Sequence, residues 1–279
     1  MAQATVGTAA RPITTTPKRK LPFPLDLYQT AVGKKWVMAL TGIVLLGYVL
    51  VHMIGNTKMF YGPEAYNHYG EWLRDLGEPL FARTQLLWIL RIGLTAAFVL
   101  HIHAAYSLTV TNRRARPVGY QGDRDYIAAN FASRTMRWTG IIVALFLVFH
   151  LADLTWGTTN PDYVRGDPYN NIVASFERVP VAVLYIVANL ALGVHIFHGA
   201  WSIFQSLGAN NPRLNGIRRP FATAFAAIIV AGNISFPIAV QIGLVDQENR
   251  TTPVAGSEEA QSDEGASPSL TITLPEAVR

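Results

Sequence analysis

Cysteine is absent from all 279 residues. The absence excludes disulfides, thiolate-held iron–sulfur clusters and thioether attachment of a cofactor in this chain. Any redox centre it owns must be held by histidine or methionine. Charge is scarce as well: 15% of residues are charged against 50% hydrophobic, which is too apolar for a soluble domain of this size and marks a membrane protein. There is no glycine-rich dinucleotide turn, and the longest connections between apolar stretches, 57–84 and 110–137, are about 28 residues each. That leaves no extramembrane domain large enough for a nucleotide or a small-acid substrate. The formal net charge of +5 does not point to nucleic acid, because the basic residues lie in short loops beside apolar spans and read as topology signals.

Five apolar stretches are present, at 36–56, 85–109, 138–156, 181–206 and 221–243, each near the roughly 20 residues that cross a bilayer. The fold class is therefore all-α and integral to the membrane, a five-helix bundle over residues 26–243. Residues 1–25 are polar, carry Pro12, Pro17, Pro22 and Pro24 with Lys18, Arg19 and Lys20, and read as a cytoplasmic tail rather than a signal peptide. Residues 244–279, rich in Ser, Pro, Asp and Glu, read as a disordered acidic outer tail. Outside the spans, fifteen Lys and Arg fall on the N-terminal side of the membrane and seven on the other. The positive-inside rule thus predicts the N-terminus in the cytoplasm and the C-terminus outside. Gly42, Gly47, Gly93, Ala96, Ala97, Gly193 and Gly199 supply the small residues that close helix or cofactor approach requires. Pro237 predicts a local kink in the fifth span.

The stretch Thr41–His52, TGIVLLGYVLVH, returns as Thr139–His150, TGIIVALFLVFH. An imidazole in hydrocarbon is costly unless paired, hydrogen-bonded or ligated, and so marks a functional site. His52 precedes Asn56 by four residues and His150 precedes Trp156 by six, which puts both roughly 6 to 9 Å inside the outer edge. His101 in the second span and His195 in the fourth lie roughly 22 to 24 Å from that edge. Two levels with two histidines each is the geometry of two bis-histidine b-type haems stacked across a bilayer and held between facing helices. The outer centre would take its iron ligands from His52 and His150, and the inner from His101 and His195. The competing reading is four packing histidines bonded to Ser, Thr or backbone, and pairing by level weighs against it.

His103 and His198 are neighbours of those ligands, but a shift of two or three residues turns a side chain by about 200° or 300°, so they cannot face the same iron. His101 is preferred because a small residue follows four positions on (Ala105), as Gly199 follows His195. His103 and His198 become accessory candidates for a propionate or a quinone, or plain packing. His68 sits in a polar connection and reads as a surface residue. Arg91 and Asp153 are charges within spans. Arg91 would neutralise an outer-haem propionate while Asp153 pairs with it or relays protons, or the two form a structural ion pair. Glu71, in the first connection, is a candidate for delivering protons to a quinone, against the plainer reading of a solvated glutamate. An inner quinone site at Trp36, Arg137 and Trp138 is the alternative.

Taken together, KKWVMALTGIVLLGYVLVHMIGN, FYGPEAYNHYGEWLR, HIHAAYSLTVTNRRARPVGY, TGIIVALFLVFHL and HIFHGAWSIFQSLG resemble the single-polypeptide, di-haem cytochrome b anchors of succinate dehydrogenases and fumarate reductases (respiratory complex II), from Lys34 to Gly243. The resemblance implies electron transport between an iron–sulfur subunit and a quinone, often menaquinone, in a bacterial cytoplasmic membrane. It implies two haem b in this chain, with covalent FAD and iron–sulfur clusters confined to a flavoprotein and an iron–sulfur subunit docked on the cytoplasmic face, and an assembly open to higher oligomers. Such a chain serves the tricarboxylic acid cycle enzyme without succinate chemistry of its own. The family's ligands lie on the first four helices, matching His52, His101, His150 and His195; its fourth-helix motif fits His195 with Gly199, while the second-helix motif does not separate His101 from His103.

Two other functions compete. A cytochrome b subunit of a hydrogenase or formate dehydrogenase would also hold two haems, but would receive electrons from the other side. The basic residues Arg113, Arg114, Arg116, Arg124, Arg134 and Arg137, expected in the cytoplasm, favour a partner there. A cofactor-free, proton-coupled transporter would use the same histidines and charges as a proton path, and would be colourless.

Overall fold

The computed structural model describes residues 22–23, 25–115, 131–209 and 211–247. Most of both tails, together with Arg116 and Arg124, lies outside the described residues. The described residues form helices and no strand: α1 Leu25–Gln29, α2 Ala31–Asn56, α3 Pro63–Asp75, α4 Gln85–Ala115, α5 Phe131–Leu154, α6 Pro168–Glu177, α7 Val179–Ser206 and α8 Pro212–Gln241. Five of these, α2, α4, α5, α7 and α8, are long and apolar enough to cross a membrane, as the apolar stretches predict. Four of them start before the apolar run does, and in α2 and α8 a side-chain cap holds the added first turn. Thr30 accepts from the Gly33 N–H at 2.9 Å at the head of α2, and Asn211 accepts from the Leu214 N–H at 2.9 Å at the head of α8. The helix of α8 continues through Pro237.

Large apolar side chains such as Val51, Ile92, Val99, Leu145 and Val183 are exposed, as a lipid-facing surface requires. The buried core is built instead where small residues let helices close. α7 packs on α8, α2 on α4, and α5 on α7. A Cβ on Gly193 of α7 would lie 2.3 Å from Val230 of α8, so only glycine permits that crossing.

The connections are not plain loops. In α6 every residue from Tyr169 to Phe176 is buried. Asp167 caps it, accepting from the Asn170 N–H at 3.3 Å, and Pro168 sits at its first position. α3 covers α6: Asn67 accepts from the Tyr169 N–H at 3.1 Å. Tyr66 donates to Asn56 at 3.0 Å, and burial, with Tyr69 nearby, holds the Tyr66 phenol above its ordinary pKa, so it remains a donor. These two helices close the end of the bundle at which α2 and α5 terminate.

Candidate functional site

His52 of α2 and His150 of α5 meet with ring centres 5.9 Å apart at 85°. His101 of α4 and His195 of α7 meet with centres 6.5 Å apart at 65°. The two predicted pairs are therefore brought together. Neither α2 with α5 nor α4 with α7 is among the close helix pairs of the described residues; in each couple the imidazoles meet across helices that do not pack closely on one another.

The His101/His195 level is held by the repeat itself. The Nδ1–H of His101 donates to the Met38 carbonyl at 3.1 Å and to the Thr41 hydroxyl oxygen at 3.2 Å. Thr41 spends its own proton on the Val37 carbonyl at 2.6 Å. Beside it, a Cβ on Gly42 would lie 3.5 Å from His101 Cε1. In the second copy, Thr139 hydrogen-bonds back to Thr135 and Met136. Its oxygen lies 3.4 Å from His195 Nδ1, and a Cβ on Gly140 would lie 3.3 Å from His195 Cε1. Each copy of Met-x-x-Thr-Gly is thus a socket for a histidine on the next long helix. A carbonyl can only accept, so His101 carries its proton on Nδ1 and its Nε2 is the nitrogen left with a free lone pair. From Thr41 to His52, and again from Thr139 to His150, the helix rises roughly 16 Å, which sets the separation of the two levels.

The His52/His150 level is built differently. Tyr48 stacks on His52 with ring centres 5.3 Å apart at 12°, and His52 makes no hydrogen bond among the described residues. His150 Nδ1 lies 3.4 Å from the Tyr185 hydroxyl, and Tyr185 donates to Asp153 at 3.1 Å. Asp153 is 0% exposed. It accepts from Ser175 and pairs with Arg178 at 2.5 Å. The expected pairing of Asp153 with Arg91 is corrected here: Arg178, at the head of α7, reaches the carboxylate, while Arg91 lies over the Trp88 ring at 5.2 Å.

The remaining candidates lie apart from the two pairs. His103 is exposed and takes a 2.6 Å hydrogen bond with Tyr28 of α1, so α4 turns it away from His195. His198 packs edge-on to Trp201 at 6.1 Å, and its buried Nδ1 has no hydrogen-bond partner. His68 is exposed, as expected. Glu71 on α3 forms ion pairs with Arg74 and, at 2.6 Å, with Arg83. Trp36 and Trp138 are exposed near the starts of α2 and α5, with Arg137 adjacent.

The residues fit a b-type haem. A metal–nitrogen bond of about 2 Å, with the imidazole centre about 1 Å behind the nitrogen, sets the centres of two trans ligands roughly 6 Å apart, which matches both pairs. No group of three or more His, Asp or Glu able to hold a metal occurs among the described residues. A bare ion would therefore lack donors, whereas iron in a macrocycle needs only two.

Residues 128–234 match the family model of the succinate dehydrogenase/fumarate reductase transmembrane subunit. The likeness to that family covers these residues, from the start of α5 into α8. No curated protein and no solved structure matches the chain significantly. The matched segment holds the second socket, His150, His195 and the Asp153–Arg178 pair. The first half of the chain lies outside the match and repeats the Thr-Gly socket and the terminal histidine. With five helices long and apolar enough to cross a membrane, the chain is a multi-pass membrane protein.

Proposed function

We propose that the chain is the di-haem cytochrome b anchor that conducts electrons between an iron–sulfur subunit and a quinone. The observation that carries this reading is the pair of imidazole couples, one at each level, with the Nδ1–H of His101 donated to a backbone carbonyl and its Nε2 thereby left as the nitrogen with a free lone pair. His52 and His150 would hold one haem b, and His101 and His195 the other. Bound haem supplies one-electron carriage. The chain supplies the rest: the sockets hold the ring positions, and the apolar spans exclude water.

In this reading the N-terminus is cytoplasmic, and the flavoprotein and iron–sulfur subunits, which carry the FAD and the clusters, dock beside the basic loops. The His101/His195 centre is then the inner one, next to the partners, and the His52/His150 centre the outer. Arg91 lies about as far before His101 as Tyr185 lies before His195. That places a cation without an ion-pair partner, among the described residues, beside the outer level, suited to a haem propionate. His103 and His198 remain accessory contacts. The quinone, of menaquinone type, would bind at the outer end, where Glu71 on α3 can deliver a proton; α3 seats Tyr69 against Gly55, close in sequence to His52. An electron crossing to that side works with or against the membrane potential at about 2.3 kcal/mol per 100 mV.

The test is purification of the chain from its native membrane with its partners attached. Co-purification of a flavoprotein and an iron–sulfur subunit, with reduction of b-type haem on adding succinate, is the expected result. Association with a hydrogenase or formate dehydrogenase, or a complex whose haem does not respond to succinate or fumarate, would overturn the reading.

A further inference from the structure

The two halves of the chain repeat the Thr-Gly socket but not the surroundings of the second histidine pair. Asp153 follows His150 by one turn on α5, and its fully buried carboxylate sits where α6, α7 and the end of α5 meet. Arg178, whose side chain is 27% exposed, neutralises it from the surface side and also donates to the Thr159 carbonyl at 2.7 Å. Ser175 of α6 donates to the same carboxylate. Tyr185 is caged edge-on by Phe146, Phe149 and Phe176 with ring centres 5.0, 6.1 and 4.9 Å away, which fixes the ring and with it the position of the hydroxyl oxygen. That hydroxyl has one proton, and it goes to Asp153 at 3.1 Å. The contact with His150 at 3.4 Å must therefore run the other way, from the His150 Nδ1–H to the phenol oxygen. The chain of donors is His150 to Tyr185 to Asp153, ending on an anion. His52, across the cleft, has only the face of Tyr48.

We infer that Asp153, acting through Tyr185, is a positioning residue for His150 that makes this imidazole the more electron-rich ligand of its pair and lowers the reduction potential of the centre the pair holds. The inference rests on the di-haem reading. Its physical basis is general: an acceptor on the far nitrogen of a ligating histidine fixes the tautomer and raises the basicity of the other nitrogen, and a more basic ligand favours the oxidised metal. A carboxylate is the strongest such acceptor, and a phenol between them passes on its polarisation. The burial of Asp153 would otherwise only cost stability; a purely structural ion pair does not explain why a tyrosine hydroxyl connects it to one member of a histidine couple.

The experiment is a redox titration of the purified complex, wild type against Tyr185→Phe and Asp153→Asn, with haem content read first. Tyr185→Phe removes one oxygen, keeps the aromatic cage and keeps the Asp153–Arg178 pair, so it remains informative if Asp153→Asn fails to accumulate. Tyr185→Phe should raise the midpoint of the component that His150→Ala abolishes and leave the other component in place, and Asp153→Asn should move the same component in the same direction. Both haems at unchanged potentials in Tyr185→Phe, or equal shifts of the two components, would overturn the inference while leaving the di-haem reading standing. A wild-type complex without haem would overturn that reading and this inference with it.

Discussion

The Thr139 hydroxyl oxygen lies 3.4 Å from Nδ1 of His195, and the next residue, Gly140, leaves the space into which that ring is set. Gly140→Ala asks the ring to give by a few tenths of an ångström; Gly140→Val adds two methyl groups beside a Cβ position already 3.3 Å from His195 Cε1 and forces overpacking of about 1–3 kcal/mol. Gly140→Val is expected to empty or distort the His101/His195 centre and to spare the His52/His150 centre. Visible spectra of the two variants check this, with loss of the same component in both the Ala and Val forms but stronger in Val.

The histidine deletions sort by level. His52→Ala and His150→Ala each remove the same haem component, His101→Ala and His195→Ala each remove the other, and His103→Ala, whose ring is held by Tyr28 outside the pair, removes neither. Redox titration of the five variants tests the grouping. Loss of a haem in His103→Ala would reverse the assignment on α4.

Arg178→Gln leaves the Asp153 carboxylate buried without its cation. Breaking a buried pair costs of the order of 3–5 kcal/mol, so the thermal midpoint of the complex should fall clearly. Arg83→Gln, which breaks exposed pairs to Glu71 and Asp75, should cost less than about 1 kcal/mol. Equal effects in thermal melts would contradict the difference in burial.

Glu71→Gln removes an exposed carboxylate held by two arginines. With the quinone at that end of the bundle, succinate-driven quinone reduction slows while haem content stays at the wild-type value. An unchanged rate moves the quinone to the other end, near Trp36, Arg137 and Trp138, where substitution of Trp138 becomes the next measurement.

The five spans and the pairing of the four histidines were legible in the sequence because a constant rise per residue turns position into depth. The sequence could not separate His101 from His103 on α4 alone; Tyr28, on a different helix, decides where His103 goes. The Thr-Gly head of the repeat was visible in both copies, but its use as a socket depends on which helix faces it, and that is a property of packing. The partner of Asp153 was misjudged for a related reason. Residues 157–180 are, in the sequence, only the connection between two apolar stretches, although Asp167 and Pro168 carry the start signal of a helix. Once α6 folds inward, Arg178 arrives at the carboxylate and Arg91 does not.

The central claim is that each imidazole couple holds one haem b. A pyridine haemochrome assay on the purified complex, with haem counted per chain, tests it most directly. The account predicts two b-type haems per chain, and one or none would contradict it.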